Sequence, residues 1–377
     1  MRVKMTYINL RFKRFLVFLL LTACVERIYF DVPLAQFQTV VEGFISDSLG
    51  PYTVKVSKGL NLDGDFSIPV PVQKAKIKLY DDQGGVEAFA EISPGVYMTN
   101  GLIQGQIGHS YHITLETPDG NVFESEPEVI YPVGEIEDIR FEFDARTIVE
   151  DFGEVQADVF NIFVDAVAGD RDENFIRWRF TGTYKVISNP ELHMVYNPPY
   201  TPYKDPRPCS GYVLLGGPGG GILEKRSDCT CCTCWVNHFE DAPQLSDMQL
   251  ISGSQFKNVK VGEVPITNNT FHEKYMLEVE QMSLTRKAFE FFKLIRSQKE
   301  GASSIFHPPS GEIKGNLIPV NNSENVIGFF WATSIKSKFT FIQRSDIPYP
   351  VTPIEFVVED CRLRWANSSN IEPKNWE

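Results

Sequence analysis

The sequence predicts a mainly β protein: an N-terminal immunoglobulin-like β-sandwich followed by a second β-rich domain carrying one amphipathic helix. Three observations predict it. Short runs rich in β-branched and aromatic residues alternate apolar and polar positions along most of the chain. The 24 prolines and 27 glycines are spread between those runs rather than gathered in low-complexity tracts, which reads as many turns. A single stretch near residue 290 changes to a helical period. No internal repeat recurs at a fixed spacing.

The first residues read as an export signal, not as part of the fold. "MRVKMTYINLRFKR" is basic and free of acids, "FLVFLLL" is a short apolar run, and "LTAC" follows directly. The run is far shorter than the roughly 20 residues a membrane-spanning helix needs. "LTAC" resembles a bacterial lipobox, in which the signal is cut before the cysteine and the cysteine is acylated. Residues 1–23 are therefore expected to be a signal peptide, Cys24 the lipidation site, and 24–36 a tether that holds the body on a lipid bilayer. Losing residues 1–23 removes five basic residues and no acid, which moves the formal charge from −13 to −18. So acidic a body argues against nucleic acid or an anionic lipid surface as partner.

Residues 37–130 are expected to form the sandwich. "QTVVEGFI" (38–45), "PYTVKVS" (51–57), "AKIKLYD" (75–81), "GVEAFAEI" (85–92), "GVYMTN" (95–100), "SYHITLET" (110–117) and "NVFESEP" (121–127) have strand length and period. Asp119-Gly120 joins the last two as a tight hairpin, since glycine supplies the positive φ that such turns require. The Cys-Trp-Cys core of true immunoglobulin domains is missing, so the assignment rests on strand count and turn spacing.

Residues 131–377 are expected to form the second domain, with its clearest strands at 155–166, 174–187, 272–283, 312–320 and 326–334. In "LTRKAFEFFKLIRSQKEG", Ala288, Phe291, Phe292 and Ile295 fall on one helical face, Ser283 or Thr285 can cap the start, and Gly301 ends it. The aromatic stripe reads as packing against a sheet. Between the strands lies a long loop region, 189–245, that holds most of the cysteines. "HMVYNPPYTPYKDPRP" within it sets Tyr196, Tyr200 and Tyr203 among prolines, a stiff aromatic composition suited to partner contact or to packing the loop on its own domain.

The segments "VVEGFISDSLGPYTVKVSKG", "SPGVYMTNGLIQGQIGHSYHITLETPDGNVFESEPE", "NFIRWRFTGTYKV", "SLTRKAFEFFKLIRSQ" and "DCRLRW", in that order, resemble a Bacteroidota lipoprotein family labelled domain of unknown function 4249. The resemblance covers nearly the whole chain after the signal. It implies an outer-membrane lipoprotein, facing the cell surface or the periplasm, that acts beside a TonB-dependent transporter of the starch-utilisation type. It carries over no catalytic residue.

"DCTCCTCW" places four of the chain's seven cysteines within six positions, a spacing open to zinc, to redox chemistry and to disulfides. An exported protein meets oxidising conditions. With Cys24 carrying lipid, Cys209, Cys229, Cys231, Cys232, Cys234 and Cys361 are expected to pair as disulfides. The adjacent Cys231 and Cys232 should each reach elsewhere, with Cys209 or Cys361 pinning the loop to the body. Zinc is the alternative. A thioredoxin-like site lacks the helix start it would need.

No catalytic, cofactor or metal site is expected. "LLGGPGGGIL" lacks the Lys-Ser/Thr of a phosphate loop. The six histidines are scattered, and His238, the one near the cysteines, reads as a solvated loop residue. Asp63 and Asp65 offer too few oxygens for calcium. The expected function is that of a non-catalytic accessory lipoprotein, with a structural or assembly factor of the outer membrane, or a hydrolase, as alternatives.

Overall fold

In the computed structural model the described residues are 38–59, 69–150, 153–196, 202–216, 221–246, 255–302, 315–321, 326–351, 357–365 and 367–377. The expected signal peptide (1–23), Cys24, the expected tether (24–36), Asp63, Asp65 and Tyr200 lie outside them. The chain is mainly β, as its alternation requires, and no helix among the described residues is long and apolar enough to cross a membrane.

The first sandwich is built by strict period-2 burial. Along Gln38–Ser46, Thr39, Val41, Gly43 and Ile45 turn inward, while Val40, Glu42 and Phe44 turn out. One sheet runs in the order Val326–Thr333, Gln38–Ser46, Thr53–Gly59, Val96–Met98, Ala90–Ser93; the other runs Leu317–Pro319, Val122–Ser125, Ser110–Glu116, Lys76–Asp81, Val86–Ala88. Val41, Ile45, Val54, Ile77, Leu79, Tyr97, Ile113 and Phe123 fill the space between them. The buried Tyr97 keeps its hydroxyl satisfied by donating to Val72 O at 2.7 Å and accepting from Ala75 N at 2.9 Å.

Two of those strands come from the far end of the chain. Val326–Thr333 pairs in parallel with Gln38–Ser46, from Thr39↔Val326 to Ser46↔Thr333, and Leu317–Pro319 pairs antiparallel with Val122–Ser125. The packing therefore does not break at the expected boundary after residue 130: the described residues of 38–59 and 69–377 form one compact unit. "VIGFFWA" is apolar throughout because both of its faces are covered, Phe330 and Ala332 by the sandwich core and Phe329 and Trp331 by the helix cluster.

A second sandwich stacks the sheet Ile136–Asp144, Val159–Val167, Gln255–Pro265 on a longer one, ordered Ile335–Gln343, Lys274–Leu284, Phe175–Ile187, Thr233–Phe239, Ser368–Ser369. Trp178, Phe160, Phe256, Phe271 and Tyr275 dominate the core between these sheets. The expected helix forms as α1, Arg286–Ala302, and Thr285 is its cap, accepting from Ala288 N at 3.1 Å. Its buried Ala288, Phe291 and Phe292 cluster with Phe175 and Leu284 of the second sandwich and with Phe329 and Trp331 of the strand returned to the first. The helix thus closes the junction between the two.

The 189–245 region is not one long loop. Its end, Thr233–Phe239, is a full strand paired with Phe175–Ile187 from Thr181↔Phe239 to Ile187↔Thr233, and two small hairpins, Met194–Val195 with Tyr203–Lys204 and Tyr212–Leu215 with Ile222–Lys225, precede it. The strand escapes a pattern search because cysteines stand at 229, 231 and 232 just before it and at 234 within it, and they carry no clear polar or apolar period.

Candidate functional site

Two places in the fold concentrate chemistry. The first is the lobe that the cysteines build. Cys209 bonds Cys231, Cys229 bonds Cys232, and Cys234 bonds Cys361, with Cα–Cα separations of 5.7, 5.7 and 6.0 Å. Adjacent Cys231 and Cys232 do reach different partners, and Cys361 does pin the region to the body. Cys234 and Cys361 are fully buried beside Val186 and Val236. Cys209, Cys231 and the Asp360 carboxylate bring ligand-type atoms within 4.8 Å of one another, but the two sulfurs are bonded to each other and offer no thiolate to a metal.

Backbone and ion-pair contacts stiffen the same lobe. Ser188 donates from N to Cys232 O at 2.8 Å and from its hydroxyl to Cys231 O at 3.0 Å. The Arg207 guanidinium grips Glu359 at 2.8 Å and holds that carboxyl below its usual range. On this frame Tyr196 is 69% exposed, Met194 52% and Ile222 75%. Tyr203 is half-buried, opposite Val195 in the first hairpin.

His238 is not a solvated loop residue. It sits on the strand Thr233–Phe239 with Nδ1 2.9 Å from the Tyr275 hydroxyl and its ring edge-on to Phe180. Burial lowers its pKa and raises that of Tyr275, so the pair is neutral. The other described histidines are dispersed: His109 Nδ1 meets Asp82 at 2.8 Å, His112 stacks on Tyr80, His193 Nδ1 meets Asp205 O at 2.9 Å, and His272 accepts from Arg344 at its backbone oxygen.

The second place was not foreseen from the sequence. A groove of about 520 Å³ runs over the outer face of the first sandwich. Its floor is Phe44 with Phe329 and Trp331 of the returned strand, one wall is Phe291, Phe292 and Ile295 of α1, and the other is Arg177 and Arg179. Phe44 and Trp331 stack with centroids 5.0 Å apart and planes at 21°, and Phe292 meets Trp331 edge-on, also at 5.0 Å. The Arg177 guanidinium lies 4.3 Å from the Phe292 centroid and is ion-paired with Glu240. Burial raises the Glu240 pKa, and Arg177 pulls it back. Arg179 donates from Nε to Glu280 at 2.5 Å and stands 5.4 Å from the Phe44 ring. Arg177 Nε, Glu240 Oε2 and Trp331 Nε1 are buried without a hydrogen-bond partner among the described residues.

One signal in the sequence could have found part of this groove. In "NFIRWRF", alternation puts Ile176, Trp178 and Phe180 inward, so Arg177 and Arg179 must share the opposite face with the buried Phe175. Arginines on a face that also buries a phenylalanine mark a covered surface. Phe44 and Trp331 gave no such signal, because only the parallel pairing of distant strands brings them together.

No curated protein and no solved structure matches the chain. The model of the family described as Domain of unknown function (DUF4249) matches residues 25–338. Nearly all of both sandwiches and the helix between them fall within that match, and the chain belongs to the DUF4249 family.

Proposed function

We propose that this chain is a non-catalytic lipoprotein of a Bacteroidota outer membrane, held there by acyl chains on Cys24, which docks on a TonB-dependent transporter and assists nutrient capture. The observation that carries the reading is the lobe around Cys231. Three disulfides fix a small region that exposes Tyr196, Met194 and Ile222. A pre-ordered surface loses little entropy on binding, and tyrosine and methionine are enriched where proteins meet. The lipobox-like "LTAC" and the resemblance to outer-membrane lipoproteins supply the location and the class of partner.

The test is affinity purification of the tagged protein from detergent-solubilised outer membranes. A TonB-dependent transporter is expected to co-purify with the native chain and to be lost with the double variant Tyr196→Asp, Ile222→Asp, whose melting temperature stays within about 2 °C of the native value because both side chains are exposed. Cys24→Ala should move the protein to the soluble fraction. Absence of any transporter, or its undiminished recovery with the double variant, would sink the proposal.

A further inference from the structure

The groove beneath α1 goes beyond that reading and does not depend on it. Its lining sets three cations, Lys55, Arg177 and Arg179, against one acid, Glu42, in a chain whose formal charge is −13. Arg177 is engaged by Glu240. Arg179 gives its Nε to Glu280 and also lies in the field of Glu240 and Glu278, while its two Nη groups have no hydrogen-bond partner among the described residues. The Lys55 ammonium likewise makes no hydrogen bond or ion pair with a described residue, although Glu42 stands across the ladder from it. Lys55 is also diagonal to Phe44 on that ladder, whose ring lies below Arg179.

Two cations with free donors therefore flank an aromatic floor. A guanidinium edge matches the two oxygens of a carboxylate, and charge-assisted hydrogen bonds of this kind are about twice as strong as neutral ones. Most of the remaining lining is apolar, and about 520 Å³ is the size of a small-molecule site. We propose that the groove binds a small carboxylic acid with a flat apolar body, the body lying on Phe44 and Trp331 and the carboxylate held between Arg179 Nη and Lys55 Nζ.

The full chain carrying Cys24→Ser can be titrated calorimetrically with 2-naphthaleneacetate and, as its neutral counterpart, 2-naphthaleneethanol. The acid is expected to bind with one equivalent per chain and at least about tenfold tighter than the alcohol. Lys55→Gln and Arg179→Gln should each weaken the acid about tenfold and leave the alcohol unchanged, while Phe44→Ala weakens both. Lys55 is exposed, so its variant remains informative if Arg179→Gln disturbs the sheet. Equal affinity for acid and alcohol, acid binding untouched by Lys55→Gln, or no binding of the acid at millimolar concentration would overturn the proposal. None of these outcomes bears on recovery of the transporter, so the two proposals fail separately.

Discussion

The lobe around Cys231 and the junction around Trp331 both tie together segments that are far apart in sequence, and they do so by opposite means. Among the described residues the lobe's own buried cluster is Val186, Cys234, Val236 and Cys361, too little to hold two hairpins and a chain end, and three covalent bonds make up the difference. The junction has no covalent bond but buries Phe175, Leu284, Phe289, Phe291, Phe292, Phe329 and Trp331 as one cluster. Where apolar area can be buried, packing suffices; where function or geometry leaves the apolar residues outside, cross-links replace it.

The sharpest way to break the junction is Trp331→Ala. Removing a buried indole that touches both Phe44 and Phe292 should cost about 3–5 kcal/mol in denaturant unfolding. It should also expose the groove floor to solvent. A loss below about 1 kcal/mol would mean that the two sandwiches do not depend on this cluster.

A pH scan separates the two regions. Glu128, buried at the junction where it accepts from the Thr285 hydroxyl at 2.5 Å, has its pKa raised from 4.5 to about 7 by burial. The folded chain therefore keeps a proton that the unfolded chain releases. The group costs nothing below pH 4.5, and stability falls as pH rises towards 7, by about 3 kcal/mol in all, then levels off. Glu128→Gln should flatten that slope and raise the midpoint at pH 8. The lobe's Glu359 is shifted the other way by Arg207, so reduction of the disulfides should not alter the slope between pH 5 and 8. An unchanged slope in Glu128→Gln would rule out this origin.

The lobe itself is sharpened by removing its bonds one at a time. Cys234–Cys361 spans 127 residues, Cys209–Cys231 spans 22 and Cys229–Cys232 spans 3. Loop-closure entropy grows with the logarithm of the closed length, so paired Ser variants should lose stability in that order, up to about 5 kcal/mol for the first and about 1–2 for the last. A reversed order, measured by thermal melting, would show that local packing rather than chain closure sets the value of each bond.

How far the fold could be read from sequence follows the same divide. Short-range patterns were legible: the alternation of "SYHITLET", the Asp119-Gly120 turn, and the helix with Thr285 before Ala288, Phe291 and Phe292. The oxidised state of the six cysteines was legible from the expected compartment, but their partners were not, since spacing alone leaves every pairing open. His238 escaped the pattern because its strand begins at the edge of the cysteine cluster and reads as a continuation of the loop. The groove was invisible as a whole. Its floor joins residue 44 to residue 331, and no local period encodes a parallel pairing across that distance.

That pairing also sets an order of events. A chain made from its N-terminus presents residues 38–130 long before Val326–Thr333 exists, and until then Gln38–Ser46 offers an unpaired backbone edge to any extended segment nearby. The first third of the protein cannot reach its native state ahead of the rest, and a fragment ending at residue 130 would carry a permanent template for self-association. Closure by a strand from the far end completes the first sandwich through contacts of very long sequence separation, the kind that slows folding.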